Sequence, residues 1–349
     1  MFETTIAPDY RRIVAAATNH RAEILPLYEH NVGYEVIGEL TGTELPRIMA
    51  ADADAGMRIY CDFFRRTGYD VVTFEQCITE VLPGQGALCG GAGPLQNRDD
   101  IAAFDWNGLA SRWYDMAAPR FEALGRNLPP GMKAIGGVGN GVFEISEALV
   151  GLEYLPFLQI DDEEAHHDLY RRIGDLLAEV WARFLREFGE FYCVCRFGDD
   201  LGFRSSLLTM PDTVRVDIIP QYRRVIDLVH RSGRPFLLHS CGCIFEVMDE
   251  LIAAGIDAKH SNEDAIAPFE YWIERYSDRI GLFGGIDMNF IVMETPERIR
   301  EYILEHVPHY FAIAGGFAVG TGNSIPAYVP AVNYLAMLEA VNEIRTSSV

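Results

Sequence analysis

One short stretch of the chain concentrates residues whose side chains can bind a metal. Residues 235–243 read PFLLHSCGC, an apolar run that ends in His239, Cys241 and Cys243. His239 and Cys241 are two positions apart, so on a strand both side chains point to the same side. An imidazole nitrogen and a thiolate form a zinc-binding pair. Core packing and a redox pair are the alternatives, and the C-x-C spacing disfavours the redox pair because thioredoxin-like sites use C-x-x-C.

Polar side chains also follow other apolar, strand-like runs. The residues at these strand ends are Asp199, Asp200, His239, Cys241, Cys243, His260, Asn262, Glu263, Asp287, Thr321 and Asn323. In a parallel barrel the carboxyl ends of the strands build the active site. We therefore expect these groups to share one rim, with Glu263 beside the His239–Cys241 pair because it follows one helix and one strand later.

Other candidate residues have a structural interpretation that competes with a functional one. Cys193 and Cys195 lie within a strand-like run and are interpreted as core residues. Glu75 and Glu144 end the two earlier strands and are candidate pocket acids, with local hydrogen bonding as the alternative. Asp199 and Asp200 follow the strand-like run 190–198 and could orient a substrate, with a position in a solvated loop as the alternative.

Strands alternate with helices along the second half of the chain. Helices are predicted at 161–188, 211–232, 267–277, 296–307 and 331–345. His166 and His167 fall at the exposed start of the first of these, and Pro220 predicts a kink or break in the second. The likeliest strands of the first half are 70–76 and 132–138.

This alternation predicts parallel βα units. Seven or eight such units favour an α/β (β/α)8 TIM barrel over an open doubly wound sheet. We expect a single domain over residues 1–349, of which 1–65 form an irregular helical N-terminal extension.

The composition narrows the classes of partner. About half of the 349 residues are apolar, and the formal net charge is −22, which argues against nucleic acid and anionic membrane surfaces. The N-terminus lacks a signal-peptide pattern, and no apolar run is long enough to cross a membrane. Seven cysteines without a disulfide-like framework indicate a reduced, cytoplasmic protein.

Four motifs in order resemble the uroporphyrinogen decarboxylase-like superfamily. They are FGDDLGFRSSLLTMPD, PFLLHSCGCIFEVMDELIAAGIDAKHSNED, GLFGGIDM and GTGNSIPAYVP. Within that superfamily the chain looks most similar to corrinoid-dependent methyltransferases, which include methylcobamide:coenzyme M methyltransferases and O-demethylases. The resemblance implies a TIM barrel, zinc and a corrinoid cofactor held by a separate carrier protein. It covers most of the chain from about residue 130.

The resemblance implies a zinc-dependent methyltransferase acting on a small methylated substrate. His239, Cys241 and Glu263 match metal-ligand positions, whereas Asn323 stands where relatives carry a final cysteine. This departure leaves three possibilities open: Cys243 substitutes, the metal acts as a Lewis acid on oxygen or nitrogen, or no metal binds. The residues expected to act on the substrate are Asp199, Asp200 and Asn323 as catalytic groups and Glu144, Asp287 and Thr321 as substrate-binding groups.

The runner-up is a metal-independent decarboxylase of a tetrapyrrole or related acid, using Asp199 or Asp200. True uroporphyrinogen decarboxylases carry an Arg-rich N-terminal segment, and here only Arg11, Arg12 and Arg21 stand in that region, in a different arrangement. A non-catalytic corrinoid- or tetrapyrrole-binding protein is the third possibility. The substrate, the direction of methyl transfer and the oligomeric state, including a homodimer, stay open.

Overall fold

Each predicted strand–helix unit contributes one strand to a parallel sheet. The protein is described by a computed structural model over residues 3–83 and 90–347. The strands β1–β7 are Val71–Cys77, Lys133–Gly139, Tyr192–Gly198, Phe236–His239, Ala258–His260, Gly281–Ile286 and Phe317–Thr321. All neighbours are parallel and the sheet order follows the chain order. The prediction of an α/β, TIM-barrel-like fold is confirmed.

Helices fill the connections between these strands. The α-helical segments α1–α16 of the described ranges are Arg11–Ala17, Tyr34–Thr41, Leu45–Ala51, Ala53–Thr67, Arg98–Ala103, Trp106–Asn127, Val142–Val150, Leu155–Asp161, Glu163–Glu187, Pro211–Thr213, Ile219–Arg231, Met248–Ala254, Phe269–Tyr276, Met288–Met293, Pro296–Ile313 and Ala331–Ser347. Short 3₁₀ turns cover Ile78–Val81, Gly189–Phe191 and Phe245–Val247. Among the described residues, no helix has the length and apolarity that a membrane crossing needs.

The predicted helix 211–232 is interrupted before Pro220. A π-helical turn at Val214–Ile218 separates α10 from α11. Proline has no N–H to donate to the carbonyl four residues earlier, at Val216, and its ring crowds that carbonyl. The wider π turn relieves this conflict, so the expected break takes the form of a π segment.

The N-terminal segment occupies the gap between β7 and β1. The backbone N–H of Tyr28 donates to Val319 O at 2.9 Å, and Val319 N donates to Pro26 O at 2.9 Å. On the other side, the hydroxyl of Thr73 in β1 donates to the carbonyl of Glu29 at 2.7 Å. Residues 26–32 thus take the eighth position of the barrel without forming a regular strand.

The inward-facing side chains form two layers. The lower layer, near the amino ends of the strands, is apolar and contains Val71, Ile135, Val194, Leu237, Ala258, Phe283 and Ala318. Two residues further along the same strands the inward side chains are polar: Thr73, Arg196, His239 and His260. Side chains two residues apart lie on the same face of a strand, so the apolar layer lies directly below the polar layer. We call the polar layer and the carboxyl ends of the strands the mouth of the barrel.

Helix α1 closes the lower end of the barrel. Ile13, Ala16 and Ala17 are fully buried in the lower layer, and Ala16 lies against the backbone at the amino ends of β6 and β7. A buried ionic group lies at the same end. Asp70 accepts from Arg12 Nη1 at 2.7 Å and from Arg345 Nη2 at 2.9 Å.

We expect Asp70→Asn to lower the free energy of unfolding by about 3–5 kcal/mol, because it leaves the buried Arg345 guanidinium without a counter-charge. Urea denaturation measures this. Asp62→Asn is the matched control: Asp62 pairs with Arg65 at 2.7 Å on the surface, so its loss should cost less than about 1 kcal/mol. Equal losses in both variants would contradict the assignment.

Candidate metal site at the barrel mouth

The parallel register brings His239 and His260 side by side at the mouth. The two residues are direct partners across β4 and β5, and both side chains point inward. Cys241 follows His239, and its Sγ lies 3.4 Å from His239 Nε2. Asp200 Oδ1 is 3.6 Å from the same nitrogen. One ligand atom from each of Asp200, His239 and Cys241 therefore falls within 4.8 Å of the others.

A chain of hydrogen bonds fixes which nitrogen of His239 is free. His260 Nε2 lies 2.9 Å from the carbonyl oxygen of Thr321, which can only accept, so Nε2 carries the proton. Burial lowers the pKa of His260 to about 3, so its Nδ1 is an unprotonated acceptor. His239 Nδ1, 2.7 Å away, must then be the donor. The lone pair of His239 is left on Nε2, facing Cys241 and Asp200.

The sulfur of Cys241 receives two further polar contacts. Asn323 Nδ2 lies 3.5 Å and Ser261 Oγ 3.6 Å from Sγ. The orientation of the Asn323 amide is set because its oxygen accepts from Ser324 N at 2.7 Å. Ser261 has φ 93°, a left-handed conformation unusual for a residue with a side chain. Burial and the Asp200 carboxylate raise the pKa of Cys241, so without a cation it is a thiol.

Cys243 and Glu263 do not join this group in the part of the chain that the structure describes. Gly242 turns the backbone with φ 80°, and a Cβ there would collide with Gly202, so the chain leaves the strand direction after Cys241. The carbonyl of Glu263 accepts from Ile266 N and Ala267 N in a turn, and its side chain is half-buried. Ligation by Glu263 stays a prediction.

The two adjacent acids after β3 have different environments. Asp199 is fully buried. Its oxygens accept from the backbone N–H groups of Phe143 and Glu144 at the start of α7 and from the hydroxyl of Tyr222 in α11. Its carboxylate thus anchors a helix. Asp200 remains half-exposed, accepts from Cys241 N at 2.8 Å and faces the metal-ligating atoms.

Glu144 lies beside these acids, and its pKa is raised. Burial, with the Asp199 and Asp200 carboxylates, raises its pKa well above the ordinary value. Its Oε2 accepts from Asn140 Nδ2 at 2.6 Å, and Oε1 from Asp200 N at 3.3 Å. The arrangement places a carboxyl group of raised pKa next to the half-exposed Asp200.

Thr321 and Asp287, the other predicted substrate groups, are engaged in the fold. Asp287 caps α14 by accepting from Asn289 N and Phe290 N, and it also accepts from Asp264 N. The fully buried Thr321 hydroxyl lies 2.5 Å from Glu29 Oε2 and 2.9 Å from the carbonyl oxygen of Asn323. Their substrate contacts stay predictions.

Sequence reasoning missed the groups that the N-terminal segment and β3 bring to the mouth. His30 stacks on His239 with ring centroids 3.7 Å apart, and its Nδ1 has no hydrogen-bond partner. Arg196 is buried, pairs with Glu75 at 2.5 Å and donates to Tyr28 Oη and His30 O. Arg196 could have been selected because it is a charged residue in the middle of an apolar strand. Nothing in the spacing of the sequence distinguished His30.

A cavity of about 400 Å³ opens beside these residues. Its lining includes His30, Tyr34, Glu75, Arg120 and Arg196. His30 has one face on His239 while also lining the cavity, so the cavity adjoins the metal-ligating group. A small molecule could enter it next to that group.

Lys259 is a second buried cation that the sequence analysis did not select. It lies 3.9 Å over the ring of Trp272 and donates to the carbonyl of Ser261. Burial lowers its pKa to about 7, while Cys241, Asp200 and Glu263 raise it. A lysine within a buried strand was the available signal.

The chain is similar to known proteins in sequence and in fold. A family model described as uroporphyrinogen decarboxylase (URO-D) matches residues 124–344. A methyltransferase from Methanosarcina mazei has a TM-score of 0.74 at 16% identity, covering 97% of this chain and 99% of that chain, which shows a shared fold. An A. niger ochratoxinase gives a TM-score of only 0.35 at 12% identity, covering 93% and 70%. No curated protein sequence matches the chain.

Glu29 gives a testable pH dependence. A hydroxyl has one hydrogen, so if Thr321 donates it to Asn323 O, Glu29 must carry a proton to bond Thr321. Burial raises the pKa of Glu29 from 4.5 to about 8. Its stabilising contribution is therefore fully present below 4.5 and lost as pH rises through about 8.

Relative to Glu29→Gln, we expect wild-type unfolding free energy to fall by up to about 1.4 kcal/mol per pH unit across that window. Glutamine preserves the shape and the donor, so the variant should fold. Urea denaturation of both proteins at several pH values measures the difference. Parallel pH curves for the two would refute a protonated Glu29.

Proposed function

The chain belongs to the uroporphyrinogen decarboxylase family, and from this premise we propose that it is a zinc-dependent methyltransferase. It would move a methyl group between a small methylated substrate, such as a methoxylated compound, methylamine or thiol, and a corrinoid held by a separate carrier protein. The observation that carries the proposal is the group of Asp200, His239 and Cys241, with the His239 Nε2 lone pair directed into it.

The donor set fits zinc. Imidazole nitrogen, thiolate sulfur and carboxylate oxygen are all zinc ligands, and three protein ligands leave a position for substrate. His260 and Thr321 act as the outer partners that fix the ligand tautomer. Zinc bound there would supply Lewis acidity toward the heteroatom that carries or receives the methyl group.

Residues of the chain itself can donate the proton that such a reaction needs. Removal of a methyl group from an ether or amine leaves a heteroatom that must gain a proton. Burial raises the pKa of Glu144 well above its ordinary value, which favours the protonated form, and its Oε1 lies 3.3 Å from Asp200 N. Asn323, fixed by Ser324, presents its amide N–H groups on the other side of Cys241. We assign proton donation to Glu144 and positioning to Asn323.

The mouth also has features suited to a carrier protein. Phe203 and Tyr328 are 62% and 72% exposed on the loops that follow β3 and β7. Both loops stand at the carboxyl ends of the strands, where the proposed metal site opens. Large exposed apolar side chains at one rim are typical of an interaction surface. They support docking of a corrinoid carrier there.

A decarboxylase acting on an acid is the second candidate, favoured by Arg120 and Arg196 in the cavity. Against it, the N-terminal arginines do not reach the mouth. Arg12 pairs with Asp70 beneath the barrel, and Arg11 pairs with Asp9. Asp199, one of the two acids that this mechanism would use, already accepts hydrogen bonds from the backbone N–H groups at the start of α7. Decarboxylation unaffected by a chelator would favour this candidate.

We expect Cys241→Ser to lose methyl transfer to reduced cobalamin by roughly 100-fold or more, because loss of even an outer partner of a metal ligand costs 10–100-fold. The assay uses a panel of methoxylated, methylamine and thiol donors. In parallel, Co²⁺ replaces zinc, and its thiolate charge-transfer absorption should vanish in Cys241→Ser.

Cys243→Ser is the matched control, since Cys243 lies outside the ligand group, and it should keep both activity and absorption. If the absorption instead survives in Cys241→Ser and disappears in Cys243→Ser, Cys243 and not Cys241 is the thiolate ligand. No transfer from any donor, with acid decarboxylation present, would favour the second candidate.

Asn323→Cys should strengthen zinc binding. The Asn323 amide nitrogen lies 3.5 Å from Cys241 Sγ, so a thiolate at this position would reach the same ion and complete a softer ligand set. We expect at least a tenfold lower zinc dissociation constant, measured by chelator competition. Asn323→Ser, which adds no thiolate, is the control. An unchanged constant in Asn323→Cys would place the ion away from Asn323.

A further inference from the structure

A second group of metal-ligating side chains lies in the helical layer and shares no residue with the mouth. It consists of His166 and His167 on α9 and Asp217 in the π turn. His167 Nδ1 is 2.5 Å from Asp217 Oδ1, and His166 Nδ1 is 3.7 Å from Asp217 Oδ2. One ligand atom from each residue lies within 4.8 Å of the others.

The π turn explains how Asp217 reaches the two histidines. Pro220 disrupts the α-helical hydrogen bonding before it, and the backbone widens over Val214–Ile218. Asp217 is 5% exposed and faces α9 across the helix pair. Single π turns are rare and occur frequently at functional sites.

His166 is the unsatisfied member of the group. It is 1% exposed, and its Nδ1 has no hydrogen-bond partner although it faces Asp217. A buried polar atom without a partner is costly, and native folds usually satisfy it. A neutral imidazole can offer the lone pair of such a nitrogen to a cation.

An ion would have access and room for a further ligand. The His167 side chain is 43% exposed, so the group opens to solvent on one side. Glu163 lies 4.0 Å from His167 Nε2, the ring nitrogen that does not face Asp217, so the further ligand would be water. Two imidazoles and a carboxylate suit zinc-like transition metals, whereas Ca²⁺ and Mg²⁺ prefer sites made of oxygen ligands.

We propose that His166, His167 and Asp217 bind a divalent transition-metal ion of the zinc type, with water as the fourth ligand. The ion would join the start of α9 to the π turn before α11. Binding would replace the His167–Asp217 hydrogen bond and give the buried His166 nitrogen its partner. This site is independent of the proposed methyltransferase function.

The test measures bound Zn²⁺ per chain by equilibrium dialysis and metal analysis. His167→Gln should remove one equivalent, both from the wild-type chain and from a His239→Ala/Cys241→Ser chain in which the mouth is disabled. Asp217→Asn should remove the same equivalent. Zn²⁺ should also raise the thermal unfolding midpoint of the mouth-disabled chain, and His167→Gln should abolish that rise.

His230→Gln is the matched control, because His230 pairs with Asp257 at 2.7 Å but belongs to no three-residue group in the described ranges. The His230→Gln chain should bind as many equivalents of Zn²⁺ as the wild-type chain. His167 is half-exposed, so its substitution tests the site even if Asp217→Asn fails to fold. No equivalent lost with His167→Gln in either chain, with folding verified by circular dichroism, would overturn the proposal.

Discussion

The hydrogen bond from His260 Nε2 to the carbonyl oxygen of Thr321 determines the chemistry of the barrel mouth. A backbone carbonyl cannot donate, so this contact sets the tautomer of His260, and His260 in turn sets that of His239. The lone pair of His239 is therefore fixed on Nε2 by contacts within the fold. The register of β4 and β5 places His239 beside His260, and the end of β7 at Thr321 supplies the carbonyl oxygen that His260 contacts.

The N-terminal segment supports this contact from the other side. Glu29 holds Thr321 by its backbone N–H at 3.1 Å and by its hydroxyl, while the next residue, His30, stacks on His239. Tyr28 packs edge-on against His260 and accepts from Arg196. Residues 26–32 thus close the barrel and also order its polar layer. The same seven residues explain why a seven-stranded sheet can present a complete mouth.

The sequence predicted the parts of this structure that depend on periodicity. Alternating strands and helices identified the barrel, and strand ends identified Asp200, His239, Cys241 and Asn323 as neighbours. The roles of these residues remain proposals. Contacts that depend on loop geometry were not predictable. Ligation by Glu263, which spacing suggested, stays a prediction. The approach of Asp200 to His239 Nε2 at 3.6 Å depends on the loop after β3 and could not be predicted from spacing.

The electrostatics of the mouth separate ligand groups from proton donors. Burial, with the nearby Arg196 guanidinium, lowers the pKa of His30, His239 and His260, so all three imidazoles are neutral at physiological pH. Neutral imidazoles suit metal ligation and hydrogen bonding rather than proton donation. The carboxyl groups behave oppositely, because burial raises the pKa of Glu144 and brings that of Glu147 to about 8. Under the proposed function the proton would therefore come from a carboxyl group, and the neutral His239 would be available to bind a cation.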